Sequence, residues 1–135
     1  MAAIRVLIAD DHRLFAEALE VILAGDDRIA VVGYASDGEE AVRLANELHP
    51  DVVLMDISMP VMDGIEAAQA IRQSDGRACI LMLTGSNSRT DVDRARQAGA
   101  AGYVTKDRIA SELIDAIVEI AARYRVRIAA TLGAS

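Results

Sequence analysis

Apolar residues along this chain follow two alternating patterns: short continuous runs, and longer stretches in which they recur at helical spacing. The runs are Ile4-Arg5-Val6-Leu7-Ile8-Ala9, Ile29-Ala30-Val31-Val32-Gly33-Tyr34-Ala35, Val52-Val53-Leu54-Met55-Asp56, Cys79-Ile80-Leu81-Met82-Leu83 and Ala101-Gly102-Tyr103-Val104. Each is too short for a buried helix and suits a strand covered on both faces. Between them, Leu14, Phe15, Ala18, Leu19, Ile22 and Leu23 predict an amphipathic helix ending at Gly25. Ala41, Leu44, Ala45 and Leu48 predict a second, entered through Ser36-Asp37-Gly38 and closed by His49-Pro50. Gly64 opens a third, carrying Ile65, Ala68 and Ile71 and stopped by Ser74-Asp75-Gly76. The fourth, from about Thr90 to Ala98, has only Val92, Ala95 and Ala98 as apolar anchors, so it is predicted to be the least firmly docked; Gly99 ends it. The fifth presents Leu113, Ile114, Ile117, Val118, Ile120 and Ala121, with Arg123, Arg125 and Arg127 near its end, where cations suit the helix dipole.

Five strands alternating with five helices through short loops predict an α/β fold, a parallel sheet with right-handed crossovers and helices on both faces. At 135 residues and 53% hydrophobic content the chain suits one domain, expected over residues 1–128. Residues 129–135 read as a loose tail or the start of a linker.

Charge and cysteine usage narrow the function. A net charge of -7 and a pI near 4.7 argue against direct nucleic acid binding by this chain alone, because phosphate backbones need a basic surface. The single Cys79 excludes an internal disulfide or thiolate cluster and reads as a small buried thiol. No apolar run approaches the ~18 residues of a membrane span and no signal peptide is visible, so no membrane association and a cytoplasmic location are expected.

The chemistry lies at the strand ends. Asp10 and Asp11 follow the first run, Asp56 ends the third, Thr84 follows the fourth and Lys106 follows the fifth. In a parallel sheet these ends share one edge, where open α/β folds bind ligands. Three crowded carboxylates repel unless a cation joins them, and a hard divalent ion with oxygen ligands, Mg²⁺ or Mn²⁺, is the usual remedy. Asp11 is expected to hold it directly, Asp10 directly or through water, with Asp56 and the backbone carbonyl of Ser58 completing the protein ligands. With Lys106 and the Thr84 hydroxyl alongside, the arrangement fits phosphoryl transfer onto a carboxylate, and Asp56 is the nucleophile expected to form an acyl phosphate.

Taken together, Asp10-Asp11, the segment Asp56-Ile57-Ser58-Met59-Pro60-Val61-Met62-Asp63-Gly64, Thr84, and Gly102-Tyr103-Val104-Thr105-Lys106 resemble the receiver domain of two-component response regulators. The likeness covers about Ile4 to Tyr124. It implies a flavodoxin-like, CheY-like fold with strand order 2-1-3-4-5. It also implies that a sensor histidine kinase supplies phosphohistidine, that Asp56 accepts the phosphoryl group, and that Thr84 and Tyr103 act as switch residues. Output would leave through the fourth helix, fifth strand and fifth helix. Ser58 and Ser86, two places beyond Asp56 and Thr84, occupy positions that vary in the family and tune phosphoryl lifetime.

Plainer readings exist for each residue. Asp10 and Asp11 could cap a helix, Thr84 could be an ordinary strand-end hydroxyl, Lys106 a solvated lysine and Tyr103 a packing residue. His12 and His49 read as surface residues, and Met55, Met59, Met62 and Met82 as packing. An aspartate-based phosphatase or phosphotransferase is the enzymatic alternative, but it would place a second acid where Ser58 stands. The helix-turn-helix effector many such receivers carry is not recognised in this sequence, so the chain reads as the receiver of a LuxR-type transcription factor or as a stand-alone regulator. Whether phosphorylation drives homodimerisation is left open.

Overall fold

The computed structural model describes residues 3–74, 78–85 and 89–133, with residues 124–133 described by backbone alone. The elements alternate as β1 (Ile4–Ala9), α1 (Arg13–Ala24), β2 (Ile29–Ala35), α2 (Gly38–Leu48), β3 (Val52–Asp56), α3 (Gly64–Ser74), β4 (Cys79–Thr84), α4 (Arg89–Gln97), β5 (Gly102–Thr105) and α5 (Ile109–Gly133), with a short 3-10 turn at Lys106–Arg108 before α5. All four strand pairings are parallel, and the sheet runs β2-β1-β3-β4-β5, the order the resemblance implies.

The continuous apolar runs form strands because both faces of the sheet are covered. Leu7, Ala9, Val53, Met55, Ile80 and Met82 point to one side, against Ala41 and Ala45 of α2, Ala68 and Ile71 of α3, and Ala95 of α4. Their alternates Val6, Ile8, Val52, Leu54, Leu81 and Leu83 point to the other, against Leu19 and Leu23 of α1 and Leu113 and Ile117 of α5. Strand periodicity thus divides one run between two cores. A register shift between Val6 and Leu7 leaves Val32 unmatched in the β1-β2 pairing.

Local chemistry sets the helix ends. Asp37 caps α2 by accepting the Glu40 N–H at 2.8 Å, and Glu40 Oε1 accepts the Ser36 N–H at 2.9 Å. His49 ends α2 in the left-handed region, φ 48°, immediately before Pro50. Asp63 caps α3 by accepting the Glu66 N–H at 2.9 Å.

Several expectations are corrected. On α1, Leu14 and Ala18 face solvent, Leu14 at 83% exposure, while Ala16 is buried. Apolar residues occupy both flanks of that helix, and spacing alone cannot decide which flank meets the sheet. Cys79 is half-buried, not buried, because it opens β4 at the sheet's edge of entry. The backbone of residues 129–133 is helical; Ala and Leu favour the helix and no breaker intervenes before Gly133. Arg123 and its neighbours consequently lie well before the helix end, and the dipole argument for them lapses. Strand β5 and helix α4 are each shifted by one residue from their sequence bounds. The residues Asp75 and Gly76 of the stop after α3, and Ser86, lie outside the described residues, as do the side chains of Arg125 and Arg127. Among the described residues, no helix is long and apolar enough to cross a membrane.

The thin anchoring expected of α4 is observed. Ala95 is its one buried residue, Ala98 just beyond the helix is buried too, and Val92 is half-buried. An exposed ion pair, Arg94 to Asp63 at 3.6 Å, ties the helix to the start of α3.

Candidate functional site

Strands β1, β3 and β5 deliver their charged residues to one edge of the sheet, as parallel topology requires. Asp10 follows β1, with its own N–H donating to the Ala35 carbonyl at 3.0 Å and its Oδ1 accepting the His12 N–H at 2.8 Å. Asp56 ends β3, with Oδ1 accepting the Ser58 N–H at 3.2 Å. The remaining oxygens, Asp10 Oδ2 and Asp56 Oδ2, are buried and make no well-aligned hydrogen bond within the chain. Lys106 stands between them, Nζ 3.4 Å from Asp56 Oδ2 and 3.7 Å from Asp10 Oδ2. A residue from each of three strand ends, far apart in the sequence, has thus been brought to one point. Asp11 lies on the open side, exposed, and its carboxylate joins Asp10, Asp56 and His12 in a cluster whose donor atoms all fall within 4.8 Å of one another.

The electrostatics follow from burial. Desolvation first, and then the neighbouring Asp10 carboxylate, push the Asp56 carboxyl above its ordinary range; the Lys106 ammonium and the Ser58 N–H pull it back. An incoming cation would relieve the same repulsion, and the two orphaned oxygens are hard donors suited to it.

Two glycines shape the loop after Asp56. A Cβ on Gly64 would meet the Asp56 carbonyl oxygen at 2.1 Å, and one on Gly38 would meet the Met62 carbonyl oxygen at the same distance. The loop is therefore clamped between the starts of α2 and α3, and only a residue without a side chain fits at either contact. Within it, the Met62 N–H donates to the Pro60 carbonyl at 2.7 Å across Val61, whose φ is 68°. This is a γ-turn of the strained, positive-φ kind, carried by a β-branched residue that is normally excluded from that region.

Of the residues singled out from sequence, Asp10, Asp11, Asp56 and Lys106 are brought together. Thr84 is buried at the end of β4, paired in register with Thr105. Ser58 is exposed two residues beyond Asp56, and Tyr103 is 44% exposed on β5. Two neighbours escaped the sequence reading. The Phe15 ring lies under Lys106, 4.6 Å from Nζ to the ring centroid, a cation–π contact that holds the ammonium from the α1 side. His12, expected to be a bystander, has Nδ1 3.2 Å from Asp11 Oδ1 and 3.4 Å from Asp10 Oδ1. Phe15 was hidden inside an apolar helical stripe; His12 is adjacent to the acids in sequence, the one signal that could have flagged it.

With this geometry established, similarity to known proteins is informative. A family model described as the response regulator receiver domain matches residues 6–118. The response regulator GacA of Pseudomonas viridiflava is 42% identical over 114 residues, covering 84% of this chain and 53% of that protein. The transcriptional regulatory protein PdtaR of Mycobacterium tuberculosis is 47% identical over 122 residues, covering 90% of this chain and 58% of that protein. The chain thus spans a little over half the length of these relatives. Among solved structures, a LuxR-family two-component response regulator from Aurantimonas superposes with a TM-score of 0.86 at 40% identity, covering 90% of this chain and 86% of that one.

Proposed function

The chain belongs to the response regulator receiver domain family, and from that premise we propose that Asp56 is its phosphoacceptor. The supporting observation is the position of the Lys106 ammonium between two buried carboxylate oxygens, Asp56 Oδ2 and Asp10 Oδ2, that have no hydrogen bond of their own. Asp56 Oδ2 attacks the phosphorus of a phosphohistidine on a sensor kinase in line with the leaving nitrogen. The new O–P bond forms as the N–P bond breaks, and the electron pair stays on the imidazole nitrogen, which takes up a proton. Asp10, Asp11, Asp56 and the Ser58 carbonyl are assigned to hold Mg²⁺ or Mn²⁺, which when bound neutralises charge on the phosphoryl oxygens. Lys106 follows the transferred charge, leaving the carboxylates for a phosphoryl oxygen, and the Thr84 hydroxyl donates to another.

Switching is assigned to Thr84 and Tyr103. Drawing Thr84 toward the phosphoryl group leaves room behind it for the exposed Tyr103 ring to turn inward. Helix α4, weakly anchored through Ala95 and Ala98, shifts with little loss of buried area, so the α4-β5-α5 face has two states that phosphorylation can bias. Output is assigned to an effector outside this chain, of the transcriptional kind for which several relatives are named, with residues 129–135 leading toward it.

The test is incubation with Mg²⁺ and acetyl phosphate followed by intact mass. One acid-stable, base-labile phosphoryl adduct is expected on the unaltered chain and none on Asp56→Asn or Asp56→Ala. Labelling that persists in both variants would overturn the assignment.

A further inference from the structure

We propose that Phe15 is a positioning residue for phosphoryl transfer: its ring holds the Lys106 ammonium in the pocket while the charges around that ammonium change. The inference rests on the reading of Asp56 as the phosphoacceptor. Lys106 is the only lysine of the chain and Phe15 its only phenylalanine, and the two touch, with Nζ 4.6 Å from the ring centroid. That distance lies well inside the range over which the negative face of an aromatic ring attracts a cation. The fold brings them together because α1 and α5 cover the same face of the sheet. Phe15 is the third residue of α1 and packs, half-buried, against the core that Leu19 and Leu23 share with Leu113 and Ile117 of α5. Lys106 follows Thr105, the last residue of β5, and opens the turn that leads into α5.

The other neighbours of the ammonium are charges, and the reaction alters one of them. Nζ is 3.4 Å from Asp56 Oδ2 and 3.7 Å from Asp10 Oδ2. Once Asp56 is an acyl phosphate its carboxylate charge is gone, so the nearer of the two attractions ends just as phosphoryl charge arrives. The ring is neutral and takes no part in bond making, so its hold on the ammonium is the same before and after transfer.

Holding the ammonium in advance favours the transition state. Lysine carries its charge on a flexible four-carbon stem, and a stem that must be ordered as the bond forms slows the step. With the Lys106 side chain 26% exposed and resting on a ring, that ordering is complete before the phosphoryl donor arrives. An aliphatic side chain at position 15 would fill similar space without a negative face, so the rate is expected to depend on the aromatic ring and not on bulk.

The test follows the time course of labelling by acetyl phosphate with MgCl₂, read by intact mass, for the unaltered full chain, Phe15→Leu, Phe15→Tyr, Lys106→Met and the double variant Phe15→Leu with Lys106→Met. In each, the Asp56 Oδ2–P bond forms as the P–O bond to acetate breaks, and acetate leaves with the electron pair. Phe15→Leu is expected to slow labelling about fivefold, and Phe15→Tyr, which keeps the ring, to restore most of the rate. On the Lys106→Met background, Phe15→Leu is expected to change the rate no further, because there is no ammonium left to hold. Equal rates for Phe15→Leu and the unaltered chain, or an equal fold loss with and without the lysine, would overturn the proposal. A measurement without any variant tests the same contact: the ε-methylene protons of the single lysine are expected upfield of their ordinary NMR position through the ring current, and an ordinary position in the folded chain would overturn it. Labelling that survives Asp56→Asn would overturn the phosphoacceptor reading instead, whatever the Phe15 variants do.

Discussion

At the scale of single residues, the site concentrates unfavourable interactions that most of the molecule avoids. Asp56 is the clearest case. Burial and Asp10 raise its carboxyl, so the folded state binds a proton there more tightly than the unfolded chain, whose Asp titrates near about 3.9. The contribution favouring the fold is fully present below that unfolded value and is lost as pH rises through the higher folded one. In metal-free protein, Asp56→Asn is therefore expected to raise the melting temperature at neutral pH, with the gain shrinking as the pH is lowered toward 4; thermal melts across that range check it. Val61 carries a second cost. Its positive φ within the γ-turn is strained, and its side chain is 78% exposed, so little packing depends on it. Relief of strain should exceed the added backbone entropy of glycine, and Val61→Gly is expected to stabilise the protein by about 1 kcal/mol in urea denaturation. Lys106, by contrast, is favourably placed among two carboxylates and the Phe15 ring, which explains how an ammonium at a sheet edge keeps one position.

At the scale of elements, the contrast between α3 and α4 decides what can move. Helix α3 is locked at its start: Gly64 sits on the Asp56 carbonyl, its N–H donates to the Ile57 carbonyl at 2.8 Å, and Ile65, Ala67, Ala68 and Ile71 are buried. Gly64→Ala forces a side chain against backbone that cannot retreat without displacing Asp56, and is expected to cost about 3 kcal/mol or to prevent folding; the denaturation midpoint measures it. Helix α4 buries only small residues, and its ion pair from Arg94 to Asp63 lies near the surface, where such interactions have little strength. Its amides are expected to exchange with solvent faster than those of α3 under native conditions, as hydrogen exchange resolved by mass spectrometry can show.

At the scale of the whole molecule, the acidic balance predicts the absence of an activity. With a net charge of -7 this chain releases few counterions from a polyanion, so no retardation of duplex DNA is expected even at low salt in a gel-shift assay. The legibility of the sequence follows the same division between local and distant causes. The five strands could be read because their runs are short and mostly apolar, and the site residues because Asp10 follows one such run, Asp56 ends another and Lys106 stands just beyond a third. What could not be read depended on contacts across the fold. The orientation of α1, with Leu14 outward and Phe15 under Lys106, is decided by the sheet and not by the helix. The demand for glycine at positions 38 and 64 comes from carbonyls in a loop that neither residue adjoins in a way periodicity records. His12 looked idle because its partners are set by the turn it begins.

Placing Lys106 after the last strand has a consequence for the growing polypeptide. A polypeptide that ends after the fourth strand carries Asp10 and Asp56 but not the ammonium that stands 3.7 and 3.4 Å from their Oδ2 atoms in the whole chain. Docking of β5 beside β4 supplies that charge at the final step, so an incomplete translation product lacks the balanced pocket that the finished protein possesses. Truncation before residue 106 is expected to leave a chain less stable than the whole, as its denaturation midpoint can measure.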